Sequence, residues 1–430
     1  MERTAIRSRR HSPVSILLRT GLALAALGAG LTCTPTPPAE PVPAPTGAQP
    51  EIRIGLATGV SGVVVSAQNE FAVLDQDGRV LVDAPGGTVW TVSTAGGEVA
   101  ATSARGIGTA AQALSFAPRA AGDLLAVNGR PYRGRLVIAR DRGGPGLTVV
   151  NQIGLEDYLA GVVSAEMGRR DTSELEALAA QAVVSRTYAI RNLGKRAAEG
   201  FDLYATVTDQ VYGGVAAETA LGWAAVRQTA GQVLVWDGTP IDAFFYSTCA
   251  GRTASGPEVF VGADRPYLVS VRDTDPSGRA YCRISPRYRW RERWSGEELS
   301  RVMRQSLPGV TGTAVEEAAT VRGVRVVERT PSDRVARIAV VLARQTVDVD
   351  GPAVRQVLHP VGEPLLRSAA FTLHETRTGS RLDSLVADGA GAGHAVGFCQ
   401  WGAVGRARAG QKAAEILAAY FPGTTLTRAY

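Results

Sequence analysis

Glu166 stands at the end of an apolar stretch, Val162-Val-Ser-Ala-Glu-Met167. A carboxyl flanked by Val163, Ala165 and Met167 is set up for partial desolvation. Desolvation raises a carboxyl pKa, as a general acid for glycoside cleavage requires. The competing reading, a carboxylate on a solvated helix end, is the commoner fate of an arbitrary Glu. Glycosidases usually use two carboxyls. Glu156 and Asp157 precede Glu166 by about 14 to 15 Å along a helix axis, which makes them poor partners. They suit a helix N-terminus, where acidic groups favour the dipole. Arg186 lies in a run of small apolar residues, where a guanidinium needs an anion. That anion is a substrate carboxylate, Glu166 or Asp209, and pairing with Glu166 would lower the pKa of that acid. Gln210, Tyr212 and Gly213-Gly214 form a polar-aromatic turn, suited to a sugar or to a plain packed β-turn. His394, Gln400 and Trp401 make a second candidate sugar wall, although a lone His in a Gly-rich loop is more often a local hydrogen-bonding residue.

These residues need elements to hold them. Leu155, Tyr158, Leu159 and Val162 fall on one helical stripe, which predicts a helix over 155–167. After a polar break at 168–172, Ser173 with Glu176 reads as a capping box for a helix over 174–193, ended by Gly194. A further helix is expected at 216–229. Gln232–Trp236, the turn Asp237-Gly238 and Pro240–Tyr246 read as a hairpin. Residues 51–150 alternate short apolar runs with turn signals such as Asn128-Gly129, a strand-rich part with no acid, nucleophile or metal cluster. Residues 296–370 carry β-like runs such as Arg337–Leu342 and a helix over 297–305. The Gly-rich loop 389–397 leads into two short helices in 371–430. The fold class read from this order is α+β: a strand-rich N-terminal part (51–150), a mixed α/β core (151–295), a β-rich insertion (296–370) and a C-terminal return to the core (371–430).

The first 33 residues read as an export signal, with Arg3, Arg7, Arg9, Arg10 and Arg19 before an apolar Leu22–Leu31. Cys33, after Gly30-Leu31-Thr32, suggests a lipidation site, the alternatives being a cleaved signal without lipid or an uncleaved N-terminal membrane helix, and 34–50 is a Pro- and Ala-rich tether. Membrane attachment is thus expected only through the N-terminus, with the remainder in the periplasm or cell envelope. An excess of six basic over acidic groups suits an anionic partner, cell wall included. No dense basic run with interleaved aromatics follows residue 50, which argues against a nucleic-acid surface. Among the four cysteines, Cys249 and Cys282 are read as a disulfide, which an oxidising compartment permits, and Cys399 as a free core thiol. No two of the four His sit at metal-ligand spacing on a helix, and no Cys-x-x-Cys occurs.

Five stretches in order, GLEDYLAGVVSAEM, ELEALAAQAVVSRTYAI, Gln-Val-Tyr-Gly-Gly at 210–214, FFYSTCAGRT, and GHAVGFCQWGA with YFPGT, resemble the SpoIID/LytB family. The resemblance implies a bacterial wall protein. It places the catalytic Glu of the lytic transglycosylase SpoIID at Glu166, and a single Glu suffices for that chemistry. The implied substrate is glycan strands stripped of stem peptides. LytB-type relatives imply the alternative, a non-catalytic wall-binding enhancer of an N-acetylmuramoyl-L-alanine amidase. Members with imidazoles around the Ser-Thr-Cys turn can hold a zinc. Tyr246 and Arg252 stand there in this chain, so neither metal nor other cofactor is implied. Cysteine-nucleophile chemistry lacks its His for the same reason. The family's Gly-His-Gly-Val-Gly loop reads Gly393-His-Ala-Val-Gly397 here, so Ala395 occupies a position where Gly would be free.

Overall fold

The computed structural model describes residues 47–430, apart from 314, 317 and 318. Cys33, the expected export signal and most of the expected Pro-rich tether lie outside the described residues. Among the described residues there are seven α-helices: α1 (Leu155–Met167), α2 (Leu175–Arg191), α3 (Ala220–Gln228), α4 (Gly296–Thr311), α5 (Ala353–Val357), α6 (Gln400–Arg408) and α7 (Ala413–Tyr420). They are combined with several sheets, so the fold is α+β with a strand-rich N-terminal part, as expected. None of these helices is long and apolar enough to cross a membrane.

Alternation in Glu51–Val60 buries Ile52 and Ile54 on one face. This strand lies in a seven-stranded sheet ordered 203–204, 51–60, 147–154, 135–140, 113–118, 71–74, 80–84. A six-stranded sheet runs 130–132, 125–127, 62–67, 89–95, 98–103, 108–111. Asn128 and Gly129 take φ of 48° and 80°, as a tight two-residue hairpin demands. The two sheets and the helices share one core. Trp90 and Phe116 belong to the same buried cluster as Tyr158, Val183 and Phe398. The strands of 51–150 are therefore one wall of the core that carries α1 and α2. A second core, with Trp294, Leu299, Ile338 and Leu385, is built from residues 290–387. It joins the insertion to the strands on either side, Arg289–Ser295 and Arg381–Ala390, which pair with each other.

Several boundaries differ from the sequence reading. The capping box uses Asp171 and Glu174, not Ser173 and Glu176. Ser173 N donates to Asp171 Oδ1 at 2.9 Å and Asp171 N to Glu174 Oε2 at 3.3 Å. Glu176 is engaged elsewhere, accepting from Ala413 N at 2.9 Å at the start of α7. α3 begins at Ala220 because Thr219 caps it, accepting from Gly222 N at 3.0 Å. α4 runs past the expected end to Gly312, whose φ of 69° stops it. The hairpin at 232–240 is present, but 241–246 leaves it. Phe245–Tyr246 instead pairs in parallel with Phe398–Cys399, which draws the 241–253 and 393–403 motifs together.

Candidate active site

Glu166 is the next-to-last residue of α1, where the negative end of the helix dipole already disfavours a carboxylate. Its side chain opens on a cleft of about 880 Å³ formed by the end of α1, the start of α6 and the segments 207–209 and 244–247. Glu166 Oε1 accepts from Val211 N at 2.7 Å, and Oε2 from Gln400 Nε2 at 3.3 Å. Burial pushes the Glu166 pKa up, and the bonds from Val211 and Gln400 offset only part of that rise. No cation pairs with it among the described residues. The other acid lining the cleft, Asp209, is in the opposite state. Burial alone would raise its pKa, but bonds from Lys195 (2.7 Å), Tyr204 N (2.9 Å) and Arg196 (3.1 Å) hold it below the usual value. The cleft thus contains one acid whose pKa burial raises and one carboxylate already saturated with donors.

Of the other expected site residues, Gln400 and His394 reach the cleft. Gln400 opens α6 directly after the cap, where Cys399 Sγ accepts from Gly402 N at 3.3 Å. His394 lines the cleft among the rings of Tyr246 and Phe260, each 5.2 Å away. Its Nε2 lies 2.9 Å from Phe245 O and its Nδ1 accepts from Val396 N at 3.1 Å, so the ring is assigned neutral with the proton on Nε2. Burial lowers its pKa to about 4. Ala395 takes φ of 72°, so the loop keeps a left-handed residue despite its Cβ.

Three residues expected at the site lie away from the cleft. Arg186 touches neither Glu166 nor the cleft. Fully buried, it grips Glu156 through two bonds of 2.8 and 2.7 Å and reaches Gln232 O at 3.1 Å, which ties α1, α2 and a strand together. Glu156, itself 17% exposed, is therefore the anion of a fully buried guanidinium, and Arg186 does not depress the Glu166 pKa. Tyr212 is a core residue. Its ring stacks obliquely on Tyr158 (5.1 Å) and Tyr132 (6.0 Å), and its hydroxyl donates to Asn151 Oδ1 at 2.8 Å. A Cβ on Gly161 would meet that ring at 2.6 Å, which is why α1 carries a glycine there. Gln210 is buried and accepts from Tyr158 OH at 3.2 Å. The 210–214 turn thus aims Val211 N at Glu166, while the Gln210 and Tyr212 side chains are buried.

Sequence reasoning missed Arg170, whose guanidinium lies 4.3 Å over the Trp401 ring. Its Nε is buried and has no hydrogen-bond partner among the described residues. It sits in the polar break after α1, and only its nearness to Glu166 in sequence hinted at it. Tyr188, Phe245 and Phe260 also line the cleft, from elements that nothing in the sequence brings together.

Residues 144–236, which hold α1 to α3 and Glu166, match the family model described as stage II sporulation protein, SpoIID. An uncharacterised protein of Brachyspira hyodysenteriae is 31% identical over 308 residues, 71% of this chain and 74% of the relative. The stage II sporulation protein D of Bacillus subtilis is 29% identical, over 65% of this chain and 76% of its own. The chain belongs to the SpoIID family. The amidase enhancer of Bacillus subtilis is also 29% identical, but this chain matches only 40% of that protein. Residues 282–397 match a domain of unknown function, which encloses the second core.

The cysteines of this SpoIID chain depart from expectation. Cys249 and Cys282 are free, their Sγ atoms 3.5 Å apart, and no disulfide joins them. Cys399 is buried against them rather than elsewhere in the core. The pairing between 245–246 and 398–399 brings it there, and its Sγ accepts from Cys249 N at 3.2 Å.

Proposed function

We propose that this protein cleaves peptidoglycan glycan strands as a lytic transglycosylase, with Glu166 as the single catalytic acid and base. The observation that carries the reading is the state of Glu166: in a cleft, raised by burial, bonded to Val211 N and Gln400, and paired with no cation among the described residues. The protonated carboxyl gives its proton to the oxygen linking muramic acid C1 to the next sugar, and the C1–O bond breaks. The resulting carboxylate then takes the proton of the muramic acid C6 hydroxyl, whose oxygen bonds to C1. The product is a 1,6-anhydro ring, no water is consumed, and Glu166 returns to its acid form. A second acid is not required, consistent with Asp209 being saturated. Val211 N and Gln400 hold the carboxyl through both steps.

Trp401, Tyr188 and Phe260 give the cleft flat apolar faces for sugar rings, and Arg170 and Arg287 give it positive charge. That charge suits the lactyl carboxylate of a muramic acid without its stem peptide. On this reading the protein works in the cell envelope, which fits the expected export signal and an N-terminal anchor at Cys33.

Likeness to the amidase enhancer supports a second reading, in which the protein binds the wall and stimulates an N-acetylmuramoyl-L-alanine amidase. Incubation with peptide-free glycan strands, followed by mass analysis, separates the two. Anhydromuramyl products that vanish in Glu166→Gln support cleavage. Intact strands, with an amidase stimulated equally by wild type and Glu166→Gln, support the enhancer.

A further inference from the structure

Cys249, Asp273, Cys282 and Cys399 are all buried, and one ligand atom from each lies within 4.8 Å of every other. They come from four separate parts of the chain, and none of them lines the cleft. Two further features make this more than a chance meeting of thiols. First, backbone N–H groups point at sulfur: Cys249 N at 3.2 Å and Gly402 N at 3.3 Å donate to Cys399 Sγ, and Gly251 N at 3.3 Å donates to Cys249 Sγ. Such donors stabilise thiolates. Second, Asp273 is held from behind. Its Oδ1 accepts from Arg406 Nε at 2.9 Å and Tyr420 OH at 3.0 Å, while Oδ2 faces Cys249 Sγ at 3.1 Å. Outer partners of this kind orient ligating carboxylates. Gly402 keeps the space clear, since a Cβ there would meet Asp273 Oδ2 at 2.2 Å.

We propose that these four residues form a closed structural zinc site, with Cys249, Cys282 and Cys399 as thiolate ligands and Asp273 Oδ2 as the fourth. Tetrahedral zinc with sulfur ligands at about 2.3 Å sets the sulfurs about 3.8 Å apart. The 3.5 Å between Cys249 and Cys282 is close to that and far from the roughly 2.05 Å of a disulfide. Three thiols favour zinc over a hard cation such as magnesium or calcium. On binding, every ligand sulfur that carries a proton releases it, and three thiolates with one carboxylate around Zn2+ make a dianionic complex. Arg406 and the N–H donors lie against that charge. Four protein ligands leave no open position, so the ion braces rather than catalyses. What it braces is the cap of α6, one residue from Gln400 and two from Trp401. The missing imidazoles at Tyr246 and Arg252 thus do not leave this region without a metal, because Asp273 and Cys399 complete a different set.

The test uses the full-length protein, purified without chelator, and does not depend on glycan cleavage. Metal analysis should find one zinc per chain. Cobalt(II) added to stripped protein should give an intense near-ultraviolet thiolate charge-transfer band, displaced by zinc. Asp273→Asn and Cys399→Ser should each lower zinc content at least tenfold. Should either variant fail to fold, alkylation mapping of the wild type decides instead: all three thiols protected with zinc and reactive after stripping. A Cys249–Cys282 crosslinked peptide would overturn the proposal, as would stripped protein with three reactive thiols that takes up neither zinc nor cobalt.

Discussion

Gln400 Nε2 donates to Glu166 Oε2 across 3.3 Å, although 234 positions separate the two residues. The bond favours the charged form of Glu166 and so restrains the rise that burial causes. Gln400→Leu removes that restraint. Since the acid form starts the reaction, the alkaline limb of kcat/KM for glycan cleavage should move to higher pH in this variant. His394, neutral above about pH 4, should add no inflection near neutrality. An alkaline limb unchanged by Gln400→Leu in a pH–rate profile would show that Glu166 does not control it.

Glu166→Gln should lower the rate of anhydromuramyl product formation by about 10²-fold or more, the usual worth of a general acid. Its effect on stability should have the opposite sign. A carboxyl whose folded pKa is raised costs nothing below its unfolded pKa, and its full penalty is present once the pH exceeds the folded pKa. At neutral pH the variant should therefore unfold at equal or higher urea concentration than the wild type. The difference should disappear in acid.

Arg186→Met should damage the fold rather than the chemistry. The guanidinium is fully buried, and removing it strands Glu156 without its cation. Breaking such a pair costs about 3 to 5 kcal/mol. Urea unfolding should show that loss, while KM per folded molecule stays at the wild-type value. A selective rise in KM would restore Arg186 to the substrate.

Tyr212→Phe tests the reassignment of the 210–214 turn. The lost hydroxyl leaves Asn151 Oδ1 without its donor, at a cost of about 1 to 3 kcal/mol. Affinity for glycan strands, measured by KM or by direct binding, should not change. A sugar platform would lose affinity instead.

Local rules made much of this chain readable in advance. The stripe Leu155, Tyr158, Leu159, Val162 specified α1, and the pairs Asn128-Gly129 and Asp237-Gly238 specified tight turns through their left-handed backbone. The apolar neighbours of Glu166 indicated a desolvated carboxyl. Each of these follows from interactions within a turn or two of chain. The boundaries that shifted did so for a non-local reason, as when Glu176 was drawn away to Ala413 and left the capping to Asp171 and Glu174.

Partner choice was decided by tertiary packing. A buried Arg186 demanded an anion, but only the approach of α2 to the first turn of α1 made that anion Glu156 and left Glu166 unpaired. Tyr212 offered an aromatic face, but the closeness of Gly161 turned that face into the core. The cysteines have no common spacing, since their positions span 249 to 399. Their meeting with Asp273 depends on a parallel pairing of two residues from each of two distant segments. Sequence therefore specified which side chains need burial, a proton or a counter-charge. The fold selected which of them meet, because those contacts cross 30 to 234 positions of chain that no local periodicity can register.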